Sequence, residues 1–562
     1  MKSLTQCSLA TLGLLLSFTT VPVQGLPHEP SGLSEQVMTT YGPIQGVAAR
    51  LPSVTMWLGV PYAAAPVGDQ RWRAPQAPTA WTEPLHASTF GRPCMQIGSL
   101  YGPPPEGEPW GMANLETLGK PIGDEDCLTL NVWRPNDTAG DLPVLVFVHG
   151  GSGVIGHSGD SLYDGSHLAA NANAVVITLN YRLNIFGAFA HPALAGDDAA
   201  SNSGNFATLD TLQALRFIQD NAQQFGGDPG NVTLMGQSAG GFMVYRVMAS
   251  KLADGLFHKA VILSAATGKS NTLEEGTTFV EALTAQLLVS DGLANDRSEA
   301  TRFMADQEAQ WLRAYLYEKS AAELIEAWRA NRETLPSMPS NFGDGVVMPV
   351  DLHAAYKAGD FLKVPAIIGT TRDEAKLLIG HVLKVDLPQR FTMMVAPQPA
   401  DAAPLQVSDL IKPVFMTSLS TAPYNAYMWV MNKLLLRLAG VNASTAWMAE
   451  HAPAVYVYRF DWDRAPEPWH TVYGAGHSMD LPFIFGNFDN IIFSKAFVEQ
   501  NQVGREALSN LMVNAFSAFV HTGDPNGQGL PAQWAPFGGE GGGKFKFIFD
   551  ATHDEACASK GC

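Results

Sequence analysis

Short, nearly continuous apolar runs recur along this chain, and they restrict its fold more than any other feature. They occupy residues 142–148, 174–179, 232–235, 364–369 and 454–460. Runs of this length without polar alternation are typical of strands that are buried on both faces. Residues 210–225 and 241–253 instead repeat apolar side chains at helical spacing. Strands that alternate with helices predict an α/β fold of one large domain, in which helices cover both faces of a central, mostly parallel β-sheet.

A glycine-flanked serine directly follows one of these runs. Gly236-Gln237-Ser238-Ala239-Gly240 lies between the strand predicted at 232–235 and the helix predicted from residue 241. This Gly-x-Ser-x-Gly pattern is that of a nucleophile elbow, whose glycines permit a sharp turn that exposes the serine. A plain glycine-rich turn is the alternative, but the flanking strand and helix favour Ser238 as a nucleophile.

A second glycine-rich segment, His149-Gly150-Gly151-Ser152-Gly153, follows the strand predicted at 142–148. Its pattern is similar to loops whose backbone N–H groups bind the oxyanion of a tetrahedral intermediate. We expect the N–H groups of Gly151, Ser152 and Ala239 to be the donors, since small residues allow the substrate to approach closely. An ordinary turn at a strand end is the alternative.

A serine nucleophile needs a histidine as its base, and the histidine needs a carboxylate partner. His477 lies in a glycine-rich loop after the last predicted strand, in the serine, acid, histidine order of this type of fold. His470 is its local competitor. Asp373 and Glu374 both follow the strand predicted at 364–369, so either carboxylate would lie at the carboxyl edge of the sheet. These considerations leave the choice between them open.

The charge of the chain limits its partners. The formal net charge is −18 over 562 residues, and no basic run is present that would neutralise a phosphate backbone. Nucleic acid is therefore not an expected partner. The chain has no Cys-x-x-Cys or paired-histidine spacing typical of zinc sites, and serine-based hydrolysis needs no metal or organic cofactor. We predict none.

The first 25 residues have the pattern of a cleaved signal peptide. Lys2 precedes an apolar segment from Leu9 to Val21, and Val23 and Gly25 place small residues at positions −3 and −1 of a cleavage site. No later window is predicted to span a membrane. The sequence thus predicts a secreted or periplasmic protein whose catalytic domain comprises residues 26–562.

Four cysteines remain after the predicted cleavage, namely Cys94, Cys127, Cys557 and Cys562. An even number in an oxidising compartment predicts two disulfides, for which three connectivities are possible. Only a short loop separates Cys557 from Cys562, so we favour that pairing and, with it, Cys94–Cys127.

Three segments together resemble the type-B carboxylesterase family, which also contains cholinesterases and bile-salt-activated lipases. They are Trp57–Ala63, Glu125–Val132, and Phe225–Pro229 leading into Ser238. The resemblance runs from about Thr39 to about Pro525. It implies an α/β-hydrolase fold and the cleavage of carboxylic esters through an acyl-enzyme intermediate.

The resemblance also implies roles for particular residues. It selects Glu374 rather than Asp373 as the acid of the triad, and it agrees with a Cys94–Cys127 disulfide. It further implies two structural ion pairs that take no part in catalysis, Arg71 with Glu125 and Arg182 with Asp210.

Three positions depart from the family pattern. Gln237 replaces a glutamate that usually precedes the nucleophile, so we do not expect choline esters as substrates. Ser152 replaces the third glycine of the oxyanion loop, and its side chain is expected to narrow the acyl side. Ala375 replaces a glycine after the acid, a small change. We expect activity to survive all three.

Two other functions are compatible with the same motifs. The expected partner is a small-molecule or lipid ester substrate. A lipase or sterol esterase would act on long-chain esters under an apolar lid, for which the segment 95–126 with Trp110 is the candidate. A non-catalytic, cholinesterase-like binding protein is the second alternative, although Ser238, Glu374 and His477 are all retained.

Overall fold

The computed structural model describes residues 36–105, 108, 110–136, 140–397, 403–417, 420–538 and 546–550, and the backbone of 557–559. The predicted signal peptide (1–25) and the predicted Cys557–Cys562 pairing lie outside the described side chains. The strands have the following bounds: β1 Gln36–Thr39, β2 Gly42–Gln45, β3 Val47–Ala48, β4 Val54–Pro61, β5 Leu85–His86, β6 Gln96–Ile97, β7 Pro121–Ile122, β8 Thr129–Pro135, β9 Leu142–Val148, β10 Val175–Leu179, β11 Gly227–Gln237, β12 Lys259–Leu263, β13 Ala366–Thr371, β14 Val455–Phe460, β15 Lys546–Phe549 and β16 Cys557–Ser559.

One large sheet organises the described chain, in the order β16-β15-β14-β13-β12-β11-β9-β10-β8-β4-β3. The seven strands from β15 to β10 in this order are parallel to their neighbours, and antiparallel strands complete both ends. The predicted central, mostly parallel sheet is therefore confirmed.

Helices connect the strands and cover the sheet. The α-helices are α1 Ser166–Ala172, α2 Asn184–Gly187, α3 Ala199–Asn202, α4 Phe206–Asn221, α5 Ala239–Ala249, α6 Leu273–Ser290, α7 Arg297–Ala305, α8 Ala309–Glu318, α9 Ala321–Asn331, α10 Leu352–Ala358, α11 Glu374–Leu378, α12 Leu387–Val395, α13 Val407–Leu410, α14 Ala422–Ala439, α15 Val441–His451, α16 Trp469–Val472, α17 Leu481–Phe485 and α18 Gln502–Thr522.

The apolar runs become strands because both faces of the sheet are covered. Every residue of β9 is buried, and so is every residue of β10, β12 and β13. Successive side chains of a strand point to opposite faces. Accordingly, Val144 and Val146 of β9 pack in one apolar cluster, whereas Leu145 and Phe147 pack in another.

The element bounds differ from the predicted ones by a few residues at several ends. The helix predicted at 210–225 begins at Phe206 and changes from α to 3-10 geometry after Asn221. The helix predicted from residue 241 begins at Ala239, immediately after the candidate nucleophile. The strand β11 begins at Gly227, because a bulge between Gly227 and Val232 lets the segment before the apolar run also pair with β9.

None of the helices in the described part of the chain is both long enough and apolar enough to cross a bilayer.

Candidate active site

The candidate site lies where five neighbouring parallel strands end. In spatial order these strands are β14, β13, β12, β11 and β9, so their carboxyl ends meet at one edge of the sheet. Ser238 follows β11, Ser264 follows β12, and Glu374 lies three residues after β13. His477 lies in the longer connection after β14. The topology thus brings together residues that are far apart in the sequence.

Ser238 occupies a sharp turn between β11 and α5. Its backbone has φ 54° and ψ −121°, a conformation that is unfavourable for a residue with a side chain. The turn closes so tightly that a Cβ on Gly236 would collide with the carbonyl oxygen of Gly240, and one on Gly240 would collide with that of Val148. The Ser238 N–H donates to the carbonyl of Leu263 at 2.8 Å. The Gly-x-Ser-x-Gly segment therefore has the geometry of a nucleophile elbow.

Glu374 and His477 form a buried hydrogen-bonded pair. The distance from His477 Nδ1 to Glu374 Oε2 is 2.5 Å, and both side chains are less than a tenth exposed. The other carboxylate oxygen, Oε1, accepts from Ser264 Oγ at 2.7 Å and from the Thr371 N–H at 2.8 Å. Burial by itself would raise the pKa of Glu374, but the charge of His477 and these hydrogen bonds hold it below its ordinary value.

The two competitors are placed elsewhere. The carboxylate of Asp373 forms an ion pair with Arg372 at 2.9 Å and lies 3.9 Å from the ammonium of Lys376. The ring of His470 is exposed, and its Nδ1 lies 2.5 Å from the carbonyl oxygen of Asp463. Thus Glu374, not Asp373, contacts the ring of His477.

Gln237 contacts the nitrogen of His477 that faces away from Glu374. The distance between Gln237 Nε2 and His477 Nε2 is 3.2 Å, and Gln237 is buried. An amide nitrogen only donates, so this contact requires a lone pair on His477 Nε2. The proton of a neutral ring then lies on Nδ1 and is donated to Glu374. This is the tautomer that a general base needs.

The loop after β9 presents free backbone donors next to Ser238. Within the described residues, the N–H groups of Gly151, Ser152 and Ala239 donate to no protein acceptor, and all three residues line the cavities beside Ser238. Ser152 has φ +58°, a value that glycine adopts without strain. The ring of His149 stacks on Tyr181 at 4.6 Å, and burial lowers its pKa to about 4, so it is neutral near pH 7.

Two cavities meet at Ser238 and Ser152. The first, of about 260 Å³, also contains Gln237, His477 and a largely aliphatic wall, and we call it the His477 cavity. The second, of about 300 Å³, lies beside Ala239 and contains Arg246 of α5; we call it the Arg246 cavity. An extended molecule whose reacting atom lies at Ser238 therefore has room on both sides.

The segment 95–126 is anchored at both ends. A disulfide joins Cys94 to Cys127, and within the segment the ring of Trp110 packs edge-on against Phe391 of α12 at 5.9 Å. The segment remains a candidate lid.

Both ion pairs implied by the resemblance are formed. Arg71 binds Glu125 through two parallel hydrogen bonds of 2.7 and 2.5 Å. Arg182 binds Asp210 in the same way at 2.8 and 2.7 Å, and this second pair is almost completely buried. Arg182 therefore brings little net charge to the Arg246 cavity, which it also lines.

Three features of the site were missed by sequence reasoning. Ser264 follows the buried strand Lys259–Leu263, and the apolar residues 260–263 are the sequence signal that could have predicted that strand. The contact of Gln237 with His477 and the position of Arg246 have no local signal, since both depend on how distant segments pack.

In the part of the chain that the structure describes, no cluster of three or more His, Cys, Asp or Glu side chains is arranged to hold a metal ion.

Comparison with known proteins identifies the family. Residues 33–558 match the model of the carboxylesterase family. The chain belongs to the carboxylesterase family. It is 31% identical over 496 residues to the para-nitrobenzyl esterase of Bacillus subtilis (strain 168), a match that covers 88% of this chain and 91% of that protein. It is 30% identical over 520 residues to the cocaine esterase of Homo sapiens, covering 89% of this chain and 84% of the relative.

Solved structures agree with this assignment. A carboxylesterase of Geobacillus stearothermophilus superimposes with a TM-score of 0.68 at 28% identity, covering 92% of this chain and 96% of that one. A para-nitrobenzyl esterase gives the same TM-score at 30% identity. The expected α/β-hydrolase fold is confirmed, and so is the expected activity of this carboxylesterase, which is a serine hydrolase of carboxylic esters.

Proposed function

We propose that Ser238, His477 and Glu374 form the catalytic triad of this carboxylesterase. The observation that carries the proposal is the hydrogen bond between His477 Nδ1 and Glu374 Oε2, next to a serine on a strained elbow. Glu374 would hold the ring in the required tautomer and stabilise the imidazolium that forms during the reaction.

The reaction has two halves, which the same groups serve. Ser238 Oγ attacks the ester carbonyl while its proton passes to His477 Nε2, and the imidazolium then protonates the leaving alcohol. Water, deprotonated by the same nitrogen, attacks the acyl-enzyme and releases the acid. Because Gln237 occupies the position facing Nε2, the serine hydroxyl must displace its amide nitrogen when the substrate binds.

The three free N–H groups of Gly151, Ser152 and Ala239 would bind the oxyanion of the tetrahedral intermediate. All three residues line the cavities beside Ser238, and no protein acceptor competes for their N–H groups among the described residues. Donors that are fixed before the reaction stabilise developing charge without reorganisation, and loss of one typically costs about 10²- to 10³-fold in kcat.

The position of His477 indicates which part of the ester each cavity binds. The leaving alcohol must be near the imidazolium that protonates it, so the alcohol would occupy the His477 cavity. The acyl group would then occupy the Arg246 cavity. At about 260 and 300 Å³, the cavities are at the small end of ligand sites, which favours short and medium esters over long-chain lipids.

The test is hydrolysis of p-nitrophenyl esters from acetate to palmitate by wild-type protein, Ser238→Ala and Ser290→Ala. Ser290 is an exposed serine at the end of α6 and controls for the loss of a hydroxyl. We expect activity that peaks at short or medium chains and disappears only in Ser238→Ala. A palmitate optimum would favour the lipase alternative, and full activity of Ser238→Ala would exclude the proposed nucleophile.

We also propose that the protein is exported after cleavage behind Gly25. The signal-peptide pattern of residues 1–25 supports this, and a disulfide such as Cys94–Cys127 is typical of oxidising compartments. Mass spectrometry of the protein recovered from its native host would give an N-terminus at Leu26. An N-terminus at Met1 would contradict export by this route.

A further inference from the structure

Arg246 is a cation in the acyl-side cavity that has no acidic partner among the described residues. Ala239, Phe242 and Arg246 lie at positions i, i+3 and i+7 of α5, so one face of the helix carries all three to the wall of the cavity. The described residues around this cavity include no Asp or Glu. Arg182, the other cation there, is neutralised by Asp210.

The guanidinium of Arg246 retains free hydrogen-bond donors. Its two terminal nitrogens donate to Ser340, one to the carbonyl oxygen at 3.0 Å and the other to Oγ at 3.1 Å. Its Nε is buried and has no partner among the described residues. A guanidinium carries five N–H donors, so three are left. Burial lowers the pKa of Arg246 to about 10, and the group is still charged near pH 7.

The distance from Ser238 suits a ligand of moderate length. Arg246 is eight residues beyond Ser238 along α5, a rise of about 12 Å. The side chain of a helical residue leans towards the helix N-terminus, which brings the guanidinium closer to the nucleophile. An acyl group with its carbonyl at Ser238 and an anionic far end can therefore span the cavity.

The charges of the residues that line the two cavities also favour an anionic ligand. The protein as a whole has a net charge of −18, yet the described residues that line the two cavities include no carboxylate. Of the arginines there, Arg182 is paired with Asp210, Arg390 lines the His477 cavity, and Arg246 lines the acyl-side cavity. Gln237, next to His477, is neutral. A carboxylate is the ligand that a guanidinium binds best, through two parallel hydrogen bonds.

We propose that Arg246 is a specificity residue for esters whose acyl group ends in a carboxylate, that is, half-esters of dicarboxylic acids. This rests on the proposed catalytic role of Ser238 and on the assignment of the acyl group to the Arg246 cavity. The free carboxylate of the acyl chain binds the guanidinium, and this places the ester carbonyl at Ser238.

The test compares three esters of one chain length in a pH-stat at fixed ionic strength. Ethyl hydrogen adipate carries the carboxylate on the acyl side, its terminal amide analogue is neutral, and 3-(hexanoyloxy)propanoate carries the carboxylate on the alcohol side. We expect kcat/KM for the adipate half-ester to exceed that for the amide by about 10- to 100-fold, the usual effect of a charged hydrogen bond.

Variants of Arg246 show whether the guanidinium causes this preference. Arg246→Met should bring the ratio of half-ester to amide close to one, whereas Arg246→Lys should retain part of it. Arg302→Met, which removes an exposed arginine of α7, should retain all of it. No preference in the wild type, a preference that survives in Arg246→Met, or a preference for the alcohol-side carboxylate would each overturn the proposal.

A measurement on the wild type alone guards against a misfolded variant. 6-Oxoheptanoate, in which a methyl ketone replaces the ester group of the half-ester, should inhibit hydrolysis of the neutral amide ester at a concentration at least tenfold lower than its neutral analogue 6-oxoheptanamide does, and equal inhibition would overturn the proposal. Failure to hydrolyse any of the three esters would instead count against the proposed role of the site as a whole.

Discussion

The carboxyl edge of the sheet and the walls of the two cavities are built differently. At the edge, Ser238 directly follows β11, Glu374 lies three residues after β13, and Glu374 has a hydrogen-bond partner for each carboxylate oxygen. The walls come from segments far apart in the chain, and Arg246 there has a buried donor that contacts no acceptor in the described part of the chain. We infer from this difference that residues at the edge carry out the reaction, whereas residues in the walls determine which substrates bind.

This comparison predicts that changes at the edge affect all substrates, whereas changes in the walls affect some substrates more than others. It also predicts that effects at the edge are larger, because the edge groups act on the reacting atoms or on the ring that moves the proton.

The largest effect is expected for Glu374→Gln. The amide can no longer stabilise the imidazolium or fix the tautomer of His477, and kcat should fall by about 10⁴-fold for every ester. Asp373→Asn is the matched control, since Asp373 is paired with Arg372 instead of His477; its kcat should fall less than about tenfold. Equal losses in the two variants would refute the assignment of the acid.

The edge was largely predictable from the sequence. Buried parallel strands produce continuous apolar runs, and the turn at Ser238 needs glycines at fixed offsets because neighbouring carbonyl groups leave no space for a Cβ. Resemblance to the family selected Glu374 over Asp373, a choice that residue types alone left open. The structure adds the physical reason, which is that Arg372 and Lys376 hold the Asp373 carboxylate away from the ring.

The walls could not be predicted in the same way. Arg246 follows a helical repeat, but which face of α5 meets a cavity depends on residues 338–340, almost a hundred positions later. The hydrogen bond from Ser264 to Glu374 requires β12 and β13 to be neighbours. No local pattern of residues determines either contact.

Asp480, a buried carboxyl group near Glu374, tests whether the edge also includes residues that do not contact the reacting groups. It is completely buried, and within the described structure only one of its carboxylate oxygens is hydrogen-bonded, by Tyr458 at 2.7 Å. Burial first, and then the charge of Glu374, raise its pKa from an ordinary 3.8 to about 6, although Tyr458 opposes this. Glu374, whose pKa is lowered, is therefore charged near pH 7, whereas ionisation of the nearby Asp480 carboxyl group is unfavourable.

The sign of the pH effect follows from linkage. A carboxyl group with a raised pKa in the folded protein contributes stability that is complete below pH 3.8 and is lost as the pH rises through about 6. Asp480→Asn resembles the protonated acid and avoids this loss. Between pH 4 and pH 8, the free energy of unfolding of the variant should therefore rise relative to the wild type, by up to about 3 kcal/mol.

Urea denaturation of both proteins at pH 4 and pH 8 measures this difference, because contributions from other titrating groups cancel between variant and wild type. If Asp480→Asn were destabilised equally at the two pH values, the ionised carboxylate would not be the unfavourable form. Asp480 would then not belong to the edge.

The smallest expected effect concerns Gln237, which lies between the edge and the walls. In Gln237→Glu, a carboxylate would lie near His477 Nε2, where the amide nitrogen is now 3.2 Å away. A negative charge at this distance stabilises the imidazolium, so the acid limb of the pH profile of kcat/KM should move up by about one unit. The neutral variant Gln237→Met should leave the acid limb in place.

The negative charge of Gln237→Glu would also attract cationic alcohols, so kcat/KM for choline esters should rise relative to that for neutral esters of equal size. A shifted acid limb without this rise would mean that residue 237 acts on His477 and not on the choice of substrate.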